Sequence, residues 1–394
     1  MAISRATVTN IERASWIRRV FDEGLRLKAE LGEDEVCDFS LGNPSVEPPE
    51  LFYDVLLRAA ADRTPGRHRY MPNAGYPWVR EAIARRVSER CGREVPASRI
   101  VLCSGAGAGL NLLLKTLLDP GDEVIVLAPY FLEYVYYVEN YGGVLVEVPT
   151  DASFLPDVEA IAAAIGDRTK AILVNSPNNP TGVVYPRERL AALGAVLGDI
   201  ERASGREIYL IFDEPYRHLV YDEGVEVPWA YDFHRNAIVV TSHSKDLGLA
   251  GERIGWVAVG PECEPGDQVV AGMIFALRAL GFVNAPALMQ HVVPAVQDAC
   301  VDLSIYRRNR DLLAPALREM GYELQTPAGA FYLFPKSPLA DEVEFTRRLR
   351  DERVLVVPGR GFGTPGHFRI SYAVELGVCE RALPGFERAI RGVQ

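Results

Sequence analysis

The chain has 394 residues, 48% of them hydrophobic, so it can bury a substantial core in one large domain with a satellite or in two domains. Its formal net charge of −11 argues against a nucleic-acid partner, because binding a polyanion requires a concentrated cationic face. The six cysteines show no zinc-ligand spacing, no segment has the apolar length of a membrane span, and the N-terminus does not have the pattern of a signal peptide. We therefore expect a soluble cytoplasmic protein with free thiols, no metal and no membrane partner.

The region from about Val101 to Val259 alternates short β-branched runs with amphipathic stretches, which is typical of a parallel sheet with crossover helices. The predicted strands are Ile100–Cys103, Glu123–Leu127, Val144–Val148, Lys170–Asn175, Ile208–Phe212, Ala237–Thr241 and Ile254–Val259. The predicted helices between them include Leu110–Leu118, Val158–Ile165 and Arg187–Ile200. Nearly all of these strands are apolar on both faces, which predicts an α/β fold with a mostly parallel sheet and helices on both of its faces.

The pattern changes after about Asn284. The sequence then predicts a long helical stretch from Pro286 to Met320, short strands around Phe331–Phe334, Leu355–Val356 and Phe368–Tyr372, and a final helix near Cys379–Arg391. This change indicates a second, smaller α+β domain, to which the N-terminal segment folds back. The predicted division is a large domain of residues 46–285 and a small domain of residues 1–45 with 286–394.

The loops that follow the predicted strands carry the candidate functional residues, because doubly wound sheets bind ligands beyond the carboxyl ends of their strands. The first such loop, SGAGAG from Ser104 to Gly109, follows a strand and opens a helix. Its small residues let backbone N–H groups approach an anion at the positive end of the helix, which favours a phosphate site. A tight turn that needs glycine only for packing explains the same pattern equally well.

Two further loops place polar side chains at the same edge of the sheet. The segment NSPNNPTG, from Asn175 to Gly182, has the composition of a turn, yet its prolines stiffen two asparagine side chains into fixed donors. Asp213, in the segment DEPY, follows a very apolar run, so its carboxylate needs a cation or a donor as a partner. The alternative for Asp213 is a purely structural role with satisfied hydrogen bonds.

A lysine and two arginines complete the set of candidates. Lys245 lies between Ser244 and Asp246, with Arg253 eight residues later, and by itself it would be read as an exposed lysine. Beside Asp213 at the sheet edge, the pair indicates a Schiff-base lysine next to a phosphate-binding arginine. Arg369 is a polar residue in an apolar strand, FRISYA, and either forms a structural salt bridge or binds a substrate carboxylate with two hydrogen bonds.

These motifs together resemble the class I/II aminotransferases, the fold-type I group of pyridoxal-phosphate enzymes. The likeness extends from Leu41-Gly42-Asn43-Pro44 to Arg369 and includes separated motifs in the family's order and spacing. It implies a pyridoxal 5′-phosphate-dependent aminotransferase that moves an amino group between an α-amino acid and a 2-keto acid through an aldimine on Lys245. The chain is most similar to bacterial members that carry the generic labels aspartate or aromatic aminotransferase.

The resemblance also assigns roles to individual residues. It implies that Lys245 forms the Schiff base, that Asp213 pairs with the pyridinium nitrogen, and that Phe131 stacks on the ring. Tyr216 and Asn179 would hydrogen-bond the ring oxygen of the cofactor. The implied phosphate ligands are Gly105, Ala106, Gly107, Ser242 and Arg253, with Tyr70 from the neighbouring subunit of a homodimer. The implied substrate-binding residues are Gly42, Asn179 and Arg369.

The reaction is less constrained than the cofactor. The lysine loop, from Ser244 to Leu249, is also similar to that of aminocyclopropane-carboxylate synthases, which act on S-adenosylmethionine by γ-elimination, and an amino-acid oxidase or a β/γ-replacement enzyme remains an alternative. His243 lies beside the lysine, where a titratable ring could alter proton transfer. No arginine matches the one that binds a distal carboxylate in dicarboxylate-specific relatives, since Arg278 is out of register.

Overall fold

The computed structural model describes residues 3–13 and 15–393. Its strands are β1 (Cys37–Asp38), β2 (Ile100–Cys103), β3 (Glu123–Ala128), β4 (Val144–Pro149), β5 (Thr169–Asn175), β6 (Tyr209–Asp213), β7 (Ala237–Ser242), β8 (Gly255–Val259), β9 (Tyr332–Leu333), β10 (Val354–Leu355), β11 (Val357–Pro358) and β12 (Phe368–Ser371). Its α-helices are α1 (Arg5–Arg13), α2 (Ser15–Leu31), α3 (Glu50–Ala61), α4 (Pro77–Cys91), α5 (Ala106–Leu117), α6 (Glu133–Glu139), α7 (Val158–Ala164), α8 (Arg187–Ser204), α9 (Gly266–Ala279), α10 (Ala287–Val296), α11 (Leu303–Glu319), α12 (Glu342–Asp351) and α13 (Leu376–Arg391). Across these residues, no helix combines the length and the apolar character needed to cross a membrane.

A seven-stranded sheet in the order β2-β8-β7-β6-β5-β3-β4 organises the middle of the chain. Its pairs from β7 to β4 are parallel, whereas β8 runs antiparallel to both of its neighbours, β7 and β2. Alternate residues of one strand enter different cores: Ile100 and Leu102 belong to one apolar cluster, Val101 and Cys103 to another. This arrangement confirms the predicted α/β fold with a mostly parallel sheet and helices on both faces.

The N-terminal segment and the last third of the chain form smaller sheets around a third apolar cluster. β11, β12 and β9 form a three-stranded antiparallel sheet, and β1 pairs in parallel with β10. The cluster is rich in fully buried aromatic side chains, including Phe39, Phe331 and Phe368. β12 carries Arg369 into the space between this cluster and the seven-stranded sheet.

The predicted strands agree with the observed ones to within a residue or two at each end. One prediction was wrong: the helical stretch from Pro286 to Met320 is two helices, α10 and α11, separated by residues 297–302. The interruption has two causes, one local and one from a distant part of the chain. The Asp302 side chain accepts a hydrogen bond from the backbone N–H of Ser304 and thereby caps α11, and the N–H of Val301 donates to the carbonyl of Asp246.

Candidate active site

A cavity of about 390 Å³ lies at the carboxyl ends of β5, β6 and β7. The predicted site residues that line it are Gly42, Ala106, Gly107, Phe131, Asn179, Asp213, Tyr216, Ser242, Lys245, Arg253 and Arg369. Two predicted residues do not line it. Gly105 lies against the guanidinium of Arg253, and Tyr70 is 90% exposed. The structure therefore brings most of the candidates around one space, from loops far apart in sequence.

Lys245 is held on the loop after β7 with its amine in the cavity. Its Nζ donates a hydrogen bond of 2.6 Å to the carbonyl of Gly42 and lies 5.6 Å from the centre of the Phe331 ring. Burial, reinforced by the positive charges of Arg369 and Arg253, lowers the pKa of Lys245 to about 8. An amine with this pKa is partly neutral near neutral pH and is then able to act as a nucleophile or a base.

Asp213 is the last residue of β6 and is only 5% exposed. Its Oδ2 accepts a hydrogen bond of 2.5 Å from the hydroxyl of Tyr134, whereas its Oδ1 is buried and has no partner among the described residues. Burial raises the pKa of Asp213 to about 7, although the hydrogen bond from Tyr134 opposes this. A buried carboxylate oxygen without a partner is costly, so Oδ1 is suited to receive a cationic N–H group.

An anion-binding corner lies at the start of α5. The first amides of this helix have no partner within the helix and add to its positive end. Gly105, with a φ of +87°, precedes them, and a Cβ at this position would lie 2.6 Å from Nη2 of Arg253. Arg253 itself is fixed by hydrogen bonds to the carbonyls of Ala250 (2.9 Å) and Ser104 (3.2 Å). Glycine is thus required here so that the guanidinium and the amides can converge on one anion.

Arg369 also lines the cavity and is 4% exposed. Its Nη1 donates to Oδ1 of Asn179 at 3.0 Å, and its Nη2 donates to the carbonyl of Ser40 at 2.7 Å. Its Nε is buried without a partner, and no carboxylate of a described residue lies within ion-pair distance. Aromatic rings of Tyr332 and Phe362 flank the guanidinium at 4.9 and 4.6 Å. Arg369 therefore lacks the structural salt bridge that was its alternative explanation, and it has a donor available for a bound carboxylate.

A network of hydrogen bonds connects Asp213 with Asn175 and Asn179, and further contacts fix the aromatic residues nearby. The Asn175 side chain donates to the carbonyl of Asp213 at 2.8 Å, and its Oδ1 accepts from the N–H of Asn179 at 2.7 Å. The hydroxyls of Tyr216 and Tyr332 are 2.7 Å apart. A Cβ on Gly42 would lie 2.3 Å from the Tyr332 hydroxyl, so a glycine is needed for this approach.

Sequence reasoning missed four aromatic or acidic residues that line the cavity: Glu133, Tyr134, Tyr137 and Tyr332. Glu133 is the first residue of α6, and its Oε2 is buried without a partner in the described part of the chain. Burial raises the pKa of Glu133, opposed by its own backbone N–H and by the charge of Arg369. The position of Phe131 was a usable signal, because Glu133 and Tyr134, two and three residues after it, begin helix α6.

His243 lies outside this cavity, although it precedes Lys245 by only two residues. Its Nδ1 is 3.1 Å from Oδ2 of Asp246, and its ring lines a separate small cavity with Arg90 and Glu214. The imidazole and the lysine amine thus line two different cavities. The expected influence of His243 on proton transfer therefore has no direct route in the structure.

The chain resembles known proteins along most of its length. The family model described as aminotransferase class I and II matches residues 34–385. A probable aspartate/prephenate aminotransferase of Thermus aquaticus is 39% identical over 373 residues, which cover 91% of this chain and 92% of the relative. The aspartate/prephenate aminotransferase of Thermus thermophilus is 37% identical, with coverage of 90% and 91%.

Solved structures give the same result. An amino transferase of Eubacterium rectale has a TM-score of 0.96 and 37% identity and covers 100% of both chains. The aspartate aminotransferase of Thermus thermophilus, solved with maleate, has a TM-score of 0.85 and 32% identity and covers 95% of this chain and 96% of that one. The similarity thus includes both the large sheet and the smaller sheets near the C-terminus.

Proposed function

The chain belongs to the family of class I and II aminotransferases, and from this premise we propose that its cavity binds pyridoxal 5′-phosphate with Lys245 as the covalent attachment point. The reaction moves an amino group between an α-amino acid and a 2-keto acid. The observation that carries the proposal is the convergence of a lysine amine, a half-satisfied buried carboxylate and an anion-binding corner on one cavity. The relatives described above are aminotransferases, so the alternative of elimination or replacement is not favoured.

The residues present fit the chemical groups of this cofactor. The anion-binding corner of Arg253, Ser242 and the amides of residues 105–107 would hold the phosphate. The unpartnered Oδ1 of Asp213 would receive the ring nitrogen with its proton, and Tyr216 and Asn179 would bond the ring oxygen. Phe131 would cover the ring face. When bound, the cofactor supplies an electron sink for the bond broken at the substrate's Cα.

The chain's own groups would then bind the substrate and move its proton. Arg369 would hold the α-carboxylate through its free Nε, which orients the Cα–H bond towards Lys245. Nζ of Lys245 would take the proton from Cα, because its lowered pKa of about 8 leaves part of the amine neutral at working pH. The ionised Asp213 would keep the proton on the ring nitrogen beside it.

Reduction of the holoenzyme with borohydride tests the covalent assignment. We expect a stable label on Lys245 after peptide mapping and none in Lys245→Ala. Lys115→Ala is a matched control, since Lys115 lies over the Tyr141 ring and away from the cavity, and it should keep the label. A label on any other lysine would remove the basis of the proposal.

Single-turnover chemistry tests the reaction itself. Holoenzyme mixed with individual amino acids should release the corresponding keto acid, identified by mass. S-adenosylmethionine serves as the discriminating compound: release of methylthioadenosine would show elimination and contradict amino-group transfer.

We also propose a homodimer in which Tyr70 reaches the phosphate of the neighbouring subunit. The support is that this tyrosine is 90% exposed and lines no part of its own chain's cavity. Other large apolar side chains are also exposed, among them Leu57 at 69% and Phe275 at 64%. Burying such surface is what a stable subunit interface requires.

We infer that residues 46–285 form the large, cofactor-binding domain and that residues 1–45 with 286–394 form the small one. The pairing of β1 with β10 supports this division, because it ties the N-terminal segment to the C-terminal third. The hydrogen bond from Arg369 to the carbonyl of Ser40 joins the same two segments. The cavity then lies between the two domains.

The proposed place of action is the cytoplasm. All six cysteines are free thiols in the structure. Free thiols persist in a reducing compartment, whereas oxidising compartments favour disulfides.

A further inference from the structure

One charged side chain that lines the cavity, that of Glu133, has no role in the proposed binding of the cofactor or of the substrate's α-carboxylate. The ionic groups that line the cavity in the described part of the chain are Lys245, Arg253, Arg369, Asp213 and Glu133. The proposed function, on which this inference rests, assigns the first four to the cofactor and to the α-carboxylate of the substrate. Glu133 has no proposed partner, and no protein group has yet been proposed to contact the side chain of the amino acid.

The residues on both sides of Glu133 are anchored by hydrogen bonds. Its neighbour in sequence, Tyr134, donates a hydrogen bond of 2.5 Å to Asp213, which fixes the start of α6 against the sheet. On the other side of Glu133, the hydroxyl of Tyr130 donates to Glu147 at 2.7 Å. The carboxyl group of Glu133 therefore projects from an anchored backbone into the same cavity as Arg369.

The binding of an amino acid weakens the favourable charge interaction between the Glu133 carboxylate and Arg369. In the unliganded cavity, Arg369 is the opposite charge that acts on Glu133 and lowers its pKa, although burial has the larger effect and raises it. Once a substrate carboxylate pairs with Arg369, that compensation is largely lost. Oε2 of Glu133, which already lacks a partner among the described residues, then needs a new donor.

We propose that Glu133 determines specificity by pairing with a cationic group on the substrate side chain. The chain would accordingly favour α-amino acids that end in an ammonium or guanidinium group and would disfavour dicarboxylic ones, whose distal carboxylate would lie against Glu133. This assignment departs from the names of the relatives, which refer to aspartate, and from the maleate-bound structure among its neighbours, because maleate is a dicarboxylate. It also accounts for the lack of a residue in register with the distal-carboxylate arginine.

Equilibrium binding of three unreactive five-carbon acids tests the proposal on the holoenzyme. 5-Aminopentanoate, pentanoate and glutarate share one carboxylate for Arg369 and differ only in a positive, neutral or negative far end. None of them has an α-amino group. Calorimetry uses the pyridoxamine form of the holoenzyme, which has no imine carbon for the 5-amino group to attack, so it reports binding without turnover. The wild-type protein should bind 5-aminopentanoate most tightly and glutarate most weakly.

Glu133→Gln keeps the shape of the side chain and removes its charge. We expect it to weaken 5-aminopentanoate about tenfold, to strengthen glutarate about tenfold and to change pentanoate less than about threefold, since a close charge pair in a partly desolvated site contributes on this scale. Glu139→Gln is the matched control, because Glu139 lies on the same helix and pairs with Arg13 outside the cavity. It should leave all three affinities unchanged.

Three results would overturn the proposal: equal changes for all three acids, which indicate a structural role, no change for any of them, or tightest wild-type binding of glutarate. Keto-acid release from ornithine and glutamate provides a second, kinetic readout of the same preference. A failure of the proposed function would be seen separately, as no keto acid from any amino acid, whereas the binding series measures the charge preference of Glu133 in either case.

Discussion

Lys245 and Asp213 show how one physical cause brings two opposite groups to similar acidity. Burial disfavours the charged form of each, so the pKa of the amine falls to about 8 while the pKa of the carboxyl rises to about 7. Both groups can therefore change protonation close to neutral pH. Perturbed groups of this kind that share a cavity are typical of catalytic sites.

Asp213 should make the stability of cofactor-stripped protein depend on pH. Its pKa in the folded state, about 7, lies above the ordinary value of 3.8, so between these values the folded state retains a proton that the unfolded state has lost. Stability should consequently fall as the pH rises from about 4 to 7, by at most about 4 kcal/mol. Urea unfolding at pH 5 and pH 7.5 measures this loss.

Asp213→Asn is the variant that isolates the effect. Its amide cannot titrate, so the free energy of unfolding should change less between the two pH values than in the wild type. Other titrating groups are common to both proteins and cancel in the difference. Equal pH dependence in the two proteins would show that Asp213 is already ionised in the fold.

Arg369 should determine affinity for every amino acid alike. Arg369→Ala removes the donor proposed for the α-carboxylate, and hydrogen bonds to charged groups contribute about 1.5–3 kcal/mol, so KM should rise roughly 10- to 100-fold for all substrates. Steady-state kinetics on basic, neutral and acidic amino acids measures this. A rise in KM confined to acidic amino acids would show that Arg369 binds the side-chain carboxylate instead of the α-carboxylate.

At the scale of elements, α5 depends on two glycines for different reasons. Gly105 has a positive φ and leaves room for Arg253, whereas Gly109 lies close to the sheet, where a Cβ would be 3.0 Å from methyl groups of Val240 and Val257. The helix can therefore start at Ala106 and pack tightly in spite of its low intrinsic propensity.

Gly105→Ala should weaken the anion-binding corner. The new Cβ would displace the Arg253 guanidinium, so the dissociation constant of pyridoxal 5′-phosphate should rise about tenfold or more, as followed by cofactor absorbance during dialysis. Gly205→Ala is the control, because Gly205 has a similar positive φ of 68° but nothing within 4 Å. It should cost about 1 kcal/mol of stability and leave cofactor affinity unchanged. Equal cofactor affinity in the two variants would mean that Gly105 matters only for backbone conformation.

The strands were predictable because they are buried on both faces and read as short apolar runs. The start of α5 was predicted only in part: the SGAGAG segment was expected to open a helix, but the helix was placed at Leu110–Leu118, four residues after its observed start at Ala106, because glycines weaken the helical pattern. The break at residues 297–302 was missed because it depends on a hydrogen bond from Val301 to the distant Asp246. A sequence pattern contains no signal for a contact of that kind.

The site residues also fall into those that the sequence predicted and those that it did not. Asp213 and Arg369 stood out because a polar residue after or within an apolar strand is conspicuous, whereas Lys245 was recognised only in combination with Asp213 and Arg253. Tyr332 and Glu133 did not, because a tyrosine in an aromatic run and a glutamate at the start of a helix are ordinary in sequence. Their importance follows from the tertiary structure, which turns both into the cavity.

At the scale of the whole molecule, the proposed dimer should allow two inactive variants to restore one site. Lys245→Ala lacks the attachment point, and Tyr70→Ala lacks the hydroxyl offered to the neighbour. After the two are mixed, unfolded and refolded together, the hybrid has one site with both Lys245 and a Tyr70 from the other subunit. It should show about half the wild-type activity per dimer, as measured by keto-acid formation.

The contrary arrangement gives a different result. If Tyr70 served its own chain, every site of the hybrid would lack one of the two groups and no activity would return. Light scattering on each variant provides the control, since both should remain dimers of 43.5 kDa chains.

The antiparallel strand β8 has a consequence for how the chain folds during synthesis. β2 pairs in this sheet only with β8, whose residues follow roughly 150 positions later, from Cys103 to Gly255. At ribosomal rates of about 5–20 residues per second, β2 must wait on the order of ten seconds or more for its partner. The same loop that leads into β8 carries Arg253, opposite Gly105 at the end of β2. β8, the last strand of this sheet in the sequence, thus also completes the anion-binding corner. Under the proposed function, a nascent chain would retain the cofactor only when the sheet is complete.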